Sequence, residues 1–234
     1  MNQAMAQQII QEALAQGRKA LSEHEAKQVL TAFDIPVTRE VLVTDRTALA
    51  DAAASIGFPV VMKGCAADIV HKTERHLVRL DVRDAAEALR MYDEIVGAMQ
   101  GVDGGVLVQE MVRGRRELVI GLTRDPQFGP CVMFGLGGIF TEILKDIAFR
   151  RAPLSQGDAM EMMAEIKGAG ILEAVRGMPA ADKEALSRIL MAVGNIALAF
   201  PAVAEIDLNP VILAGERPVA VDALMVVRHD GDDR

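Results

Sequence analysis

The chain has 234 residues, 51% of them hydrophobic and 25% charged, with ordinary Gly and Pro content and a formal net charge of -8. That balance supports a substantial buried core and excludes a disordered or fibrous chain. With no Trp, one Tyr and an excess of acid, the chain is also a poor candidate for stacking on nucleic-acid bases or tracking a phosphate backbone. A single nucleotide needs only a local positive pocket and a metal, so it stays open.

In chain order, residues 3–16 are predicted as an amphipathic helix with Ile9, Ile10, Ala13 and Leu14 on one side, ending at Gly17. Ser22-Glu23-His24-Glu25 matches a capping box that opens a second helix, which ends near Asp34. Ile35-Pro36-Val37 turns into a strand at 40–43. A helix capped by Thr44 or Asp45 runs through Ser55, and Gly57-Phe58-Pro59 leads to a strand at 60–63. A loop over 64–76 precedes a strand at 78–80, a helix at 85–99 and, past Gly104-Gly105, a strand at 106–111. Strands at 117–123 and 131–134 are joined through Asp125-Pro126 and Gly129-Pro130. Helices near 158–164 and 182–200 come before strands at 204–208, 211–213 and 219–221. The apolar run 189–206 contains Gly194, Asn195, Pro201 and Glu205, so it reads as a buried helix followed by a strand. A membrane span would need about 20 apolar residues. Cys65 and Cys131 match no metal or redox spacing, and with no secretory signal they read as free thiols in a reducing cytoplasm. The chain is therefore expected to be soluble and mixed α/β (α+β), with a lobe boundary near the Glu110–Gly114 turn.

Five constellations carry chemistry. Lys63 ends a very apolar strand, where an unpaired ammonium cannot stay buried; it either reaches solvent or clamps a phosphate as a point charge. Gln109-Glu110-Met111-Val112 ends another apolar strand and is followed by Arg113-Gly114-Arg115-Arg116-Glu117. This is a hairpin with charged shoulders, or a hinge whose backbone amides read a base edge while a carboxylate holds an amino or ribose group. Phe134-Gly135-Leu136-Gly137-Gly138-Ile139-Phe140-Thr141-Glu142 is a glycine loop whose N–H groups could converge on an anion, or simply a tight turn. It completes neither a Rossmann fingerprint nor a Walker A motif. In Glu205-Ile206-Asp207-Leu208-Asn209-Pro210, strand alternation puts Asp207 and Asn209 on one face, and Asp222 ends a second strand. Such oxygens suit Mg²⁺, although a capped strand end with an Asn-Pro turn reads similarly. His71, in the polar loop Asp68-Ile69-Val70-His71-Lys72-Thr73-Glu74, is the candidate nucleophile or proton carrier; His76 lies close by, His24 in a charged helical turn and His229 in the tail.

The ordered set EAKQVLTAFDIPVTRE, GFPVVMK, DIVHKTE, VLVQEMV, RDPQFGPCVMFGLGGIFTEILKD and EIDLNPVIL followed by VDALM resembles the ATP-grasp β subunit of ADP-forming acetyl-CoA synthetases, relatives of succinyl-CoA synthetase. The likeness runs from about Glu23 to Val227. It implies an ATP-grasp fold with nucleotide held between two lobes, divided as an N-terminal helical segment 1–22, a lobe 23–111 and a lobe 112–234. By the same resemblance Lys63 holds the ATP or ADP phosphates, Glu110 and the Val112 backbone hold adenine, and Glu117 lies near ribose or phosphates. Asn209 and Asp222 bind Mg²⁺, Asp207 orients a histidine, and His71 takes the phosphoryl group. The family's cytoplasmic enzymes also imply a CoA-binding α partner in an α₂β₂ assembly, with CoA, acyl phosphate and carboxylic acid handled through that partner, and no membrane or nucleic acid. An N-terminal methionine and a polar tail fit a separate subunit. The chain departs from the family in having Glu74-Arg75-His76-Leu77-Val78 where a glycine pair usually follows the His-Lys-Ser/Thr motif. That departure leaves an alternative, an ATP-binding sensor or scaffold domain without full turnover, such as an acetyltransferase-fused form.

Overall fold

A computed structural model of the chain describes residues 3–68, 77–99, 101–138 and 146–229. They form two compact units. The larger comprises Met1–Leu21, Glu25–Val37 and Val112–Arg234, and the smaller Ser22–His24 and Thr38–Met111.

The smaller unit is a four-stranded antiparallel sheet backed by two helices. Its strands are β1 (Glu40–Val43), β2 (Val60–Cys65), β3 (Val78–Val82) and β4 (Gly105–Glu110), ordered β1-β4-β2-β3. Helices α3 (Leu49–Ile56) and α4 (Ala85–Met99) pack on it, following one more helix, α2 (Glu23–Ala32), in chain order. Alternation decides the face: Val60, Met62, Val106 and Val108 join Leu49, Ala53, Ala88, Tyr92 and Ile95 in one apolar core.

The larger unit is built on a six-stranded antiparallel sheet. Strands β5 (Glu117–Asp125), β6 (Gly129–Leu136), β7 (Ile147–Arg151), β8 (Val203–Ala214), β9 (Arg217–Ala220) and β10 (Leu224–Val227) are ordered β10-β8-β5-β6-β7, with β9 also pairing β8. Helices α5 (Gln156–Glu165) and α6 (Lys183–Ala199) pack against its strands. Leu118, Ile120, Leu122, Val132, Phe134, Ile206 and Leu208 share their core. Helix α1 (Gln3–Ala15) buries Ala6, Ile10 and Ala13 in the same core and ends at Gly17, whose φ of +69° places it where a side chain would be strained.

The segment Glu25–Val37, expected inside the 23–111 lobe, belongs by its contacts to the larger unit, because Ala26, Val29, Leu30, Phe33 and Ile35 are buried in that core. From the segment expected as N-terminal and helical, 1–22, Ala6, Ile10, Ala13 and Leu21 are buried in this core as well. Two strands escaped the sequence reading. β7 is a short edge strand ending in two arginines, and β10 is four residues against the tail, so neither shows a clear alternating signal. The strands expected at 204–208 and 211–213 are one continuous strand, β8. Among the described residues, no helix is long and apolar enough to cross a membrane.

Candidate functional site

One face of the larger sheet is covered by helices, and the residues that alternate with that face line a cavity of about 280 Å³. Val119, Gly121 and Thr123 of β5, Met133 of β6, Phe149 of β7 and Glu205, Asp207 and Asn209 of β8 border it. Cross-strand register explains the grouping: Gly121 stands opposite Asp207, Thr123 opposite Glu205, and Met133 opposite both Gly121 and Phe149. The cavity thus has an apolar floor and one acidic wall.

A β-bulge follows the acidic wall. Leu118 is opposite Val211 and Ile120 opposite Leu208, so Asn209 and Pro210 together face the single residue Val119. Buried positions of β8 accordingly change phase, from Ile206 and Leu208 before the bulge to Val211 and Leu213 after it. The bulge occurs where the neighbouring strand changes from β10 to β9, so a proline, which lacks an N–H, is tolerated inside a central strand. The Asn209–Pro210 peptide is cis.

Two register points fix Asn209 beside Asp222. The Val221 N–H donates to the Pro210 carbonyl at 3.0 Å, and Leu224 lies opposite Asp207, so the residues between them are set at one level. The Asp222 carboxylate also accepts the Ala223 N–H at 2.9 Å. Asn209 and Asp222 therefore present two hard oxygen donors, which suits Mg²⁺, an ion that keeps waters and phosphate oxygens as its other ligands. Among the described residues, no group of three or more His, Cys, Asp or Glu could enclose a metal by itself. Burial, reinforced by the Glu205 and Asp222 carboxylates, pushes the Asp207 carboxyl up to about 6.

Glu117 opens β5, and the glycine loop rests on it. The Gly137 N–H donates to the Glu117 carbonyl at 2.8 Å. A Cβ on Gly137 would lie 2.8 Å from that carbonyl carbon, and one on Gly138 would lie 2.8 Å from a Glu117 carboxylate oxygen. The glycines are thus needed for close approach to Glu117. Residues 139–145 of the loop lie outside the described residues. On its far side, Asp146 accepts the Lys167 and Gly168 N–H groups at 2.7 Å each.

In the smaller unit Lys63 is the fourth residue of β2 and does not end the strand, which continues to Cys65. It is 4% exposed, so it does not reach solvent. Its Nζ donates to Glu23 Oε1 at 2.8 Å. Glu110 ends β4, and its carboxylate accepts both the Arg39 backbone N–H at 2.9 Å and Arg39 Nε at 3.0 Å. Val112 follows outside any strand.

His71, with Glu74, Arg75 and His76 of the segment that departs from the family pattern, lies outside the described residues, whereas Leu77 is buried and Val78 opens β3. His24 Nδ1 is 2.9 Å from Glu40 Oε1, and His229 Nε2 is 3.3 Å from the Arg18 carbonyl, which are structural settings. Four buried charged residues, Glu23, Lys27, Arg116 and Asp146, went unrecognised in the sequence. Glu23 was absorbed into a helix start, and Asp146 follows the glycine loop with no motif of its own. Arg116 was hidden in an arginine-rich turn, yet it is 3% exposed and donates to the Ile171, Glu173, Pro179 and Gly215 carbonyls at 2.7–3.4 Å.

Comparison with known proteins adds to this geometry. Residues 12–227 match the family model of the ATP-grasp domain. The chain is 40% identical over 229 residues to the β subunit of acetate–CoA ligase (ADP-forming) I of Pyrococcus furiosus, covering 96% of this chain and 98% of that one. It is similar in structure (TM-score 0.91, 40% identity, 95% of this chain and all of that one) to the acetyl-coenzyme A synthetase 1 of Ca. Korarchaeum cryptofilum in complex with coenzyme A and Ca-AMPCP. A second structure of that synthetase, with coenzyme A and Mg-AMPPCP, has its phosphohistidine segment pointing towards the nucleotide binding site. It matches with a TM-score of 0.84 at 40% identity, covering 95% of this chain and all of that one.

Proposed function

We propose a function from one premise: this chain belongs to the ATP-grasp domain family, and its relatives along nearly the whole length are β subunits of ADP-forming acetate–CoA ligases. It is the nucleotide-binding subunit of an acid–thiol ligase. The reaction is acyl-CoA + ADP + phosphate ⇌ carboxylic acid + CoA + ATP. The observation that carries this reading is the 40% identity over 96% of the chain, which leaves no room for a different core architecture.

In this mechanism a CoA-binding α subunit, in an α₂β₂ assembly in the cytoplasm, converts acyl-CoA and phosphate to an acyl phosphate. The phosphoryl group passes to a histidine of that partner, then to an imidazole nitrogen of His71. A terminal oxygen of ADP displaces His71, so a P–N bond breaks as a P–O bond forms and ATP results. A carrier histidine suits this task because an acyl phosphate and a nucleotide cannot share one site.

The other residues hold and orient. Lys63, whose ammonium donates to Glu23, contributes positive charge to the phosphates. Glu110, its carboxylate steadied by Arg39, and the Val112 backbone hold adenine, and Glu117 lies by the ribose or phosphates. Asn209 and Asp222 hold Mg²⁺, which when bound neutralises charge on the transferring group. Asp207 orients a histidine of the relay.

The test is phosphoryl transfer from γ-labelled MgATP to the chain, with wild type and His71→Ala compared, alone and with the α subunit. Acid-labile, base-stable label that disappears in His71→Ala is expected. MgATP binding without any label, even with the partner present, overturns the relay.

A further inference from the structure

The Glu23–Lys63 pair calls for an explanation that the mechanism does not supply. The two side chains are 0% and 5% exposed, and Nζ and Oε1 are 2.8 Å apart. Lys63 lies between apolar partners, opposite Leu107 of β4 and Val78 of β3. Removing two charges from water costs several kcal/mol per ion, and a packed apolar pair of similar volume is commonly as stable or more so. A buried ion pair is therefore a weak source of stability. Its specific property is that it keeps the lysine side chain in one place.

Placement adds to this. Glu23 is the first residue of α2, where the partial positive charge of the helix end favours an anion. The anchor is thus set on a rigid element, and Lys63 is set on a strand with neighbours on both sides. A lysine side chain has four rotatable bonds, and an unanchored one would spread its charge over many rotamers. Anchoring it before the nucleotide arrives removes that ordering cost from binding and reduces reorganisation during transfer.

We infer that Glu23 is a positioning residue for phosphate binding: through its contact with Nζ it holds the Lys63 ammonium in the place from which it meets the nucleotide phosphates. This rests on the reading of Lys63 given above. Glu23 acts on the phosphates only through Lys63, so its removal is equivalent to partial loss of that lysine.

The experiment is a double-mutant cycle on the chain with its α partner, using Glu23→Gln, Lys63→Met and both together. Mg-AMPPCP affinity is measured by calorimetry, kcat and KM by assay, and folding by thermal unfolding. Lys63→Met is expected to weaken Mg-AMPPCP by about thirtyfold or more and Glu23→Gln by about tenfold, with the double variant no worse than Lys63→Met alone. Glu23→Asp keeps the charge but is one methylene shorter. It is expected to recover part of the affinity, and it carries the test should Glu23→Gln fail to fold. Wild-type affinity in Glu23→Gln, or additive losses in the double variant, overturns the positioning role while leaving Lys63 as the phosphate ligand. Unchanged affinity in Lys63→Met overturns both.

Discussion

At the scale of single residues, Asp207 is the group whose environment most alters its chemistry. Burial and two neighbouring carboxylates raise it from 3.8 to about 6, so the folded chain holds this proton more tightly than the unfolded one. Between those two values the native state binds more protons, so stability falls as pH rises through this window and the full cost is present above it. Asp207→Asn should therefore stabilise the metal-free protein at pH 7–8 by about 1–2 kcal/mol, allowing for partial exposure, and should flatten urea-unfolding stability between pH 4 and 6. An unchanged pH profile would show that the carboxylate is better solvated than the fold implies. The same substitution should abolish labelling of His71, which separates its stabilising effect from its catalytic one. Ser187 is a smaller case of the same physics. Its hydroxyl is buried in α6 with no hydrogen-bond partner among the described residues, so Ser187→Ala should raise the thermal midpoint or leave it unchanged, with a gain of up to about 1 kcal/mol.

At the scale of elements, Arg116 and Asp146 connect pieces that the strand ladders leave apart. Arg116 joins the start of β5 to the 3₁₀ turn Ala169–Leu172, to Pro179 and to the β8–β9 hairpin at Gly215. Arg116→Met removes the donors and leaves several carbonyls unsatisfied, an expected loss of about 3–5 kcal/mol in chemical denaturation. Arg116→Lys should recover little, because a point charge cannot reproduce a planar fork that reaches carbonyls in several directions. Helix α6 shows a local counterpart. Asp182 caps it by accepting the Ala185 N–H at 2.8 Å, and Asp182→Ala should cost about 1 kcal/mol. At the start of α2, both Glu25 oxygens accept from the Arg18 guanidinium at 2.8 and 2.9 Å. A capping box also forms between Ser155 and Asp158, at the start of α5.

At the scale of the molecule, two separate apolar cores support two units that each carry part of the proposed machinery: Lys63 and Glu110 in one, Glu117, Asp207, Asn209 and Asp222 in the other. A nucleotide that binds only the native state raises its stability by mass action, about 2.7 kcal/mol at a hundredfold excess over Kd. ATP with Mg²⁺ should therefore raise the thermal midpoint clearly, and ATP with excess EDTA much less. Asp222→Asn should lose the Mg²⁺-dependent part of the increase while keeping the wild-type midpoint without ligand to within a few degrees. A full increase in that variant would remove Asp222 from the metal site.

Much of this protein is legible in order along the chain. Apolar periodicity places α4 over 85–99 to the residue, and the motif order from Lys63 through Gln109–Val112 to Glu205–Pro210 identifies the family, because both depend on residues near one another in sequence. What periodicity cannot carry is any property set by distant partners. The bulge at Asn209 and Pro210, and the common level of Asn209 and Asp222, depend on the register of β8 against β5 and β10. The burial of Lys63 depends on Glu23, forty residues earlier, and that of Arg116 on carbonyls from 55 to 99 residues later. Sequence alone determined which groups are available and what fold they specify. Tertiary structure decided which charges are buried and beside what, since desolvation and pairing depend on neighbours in space.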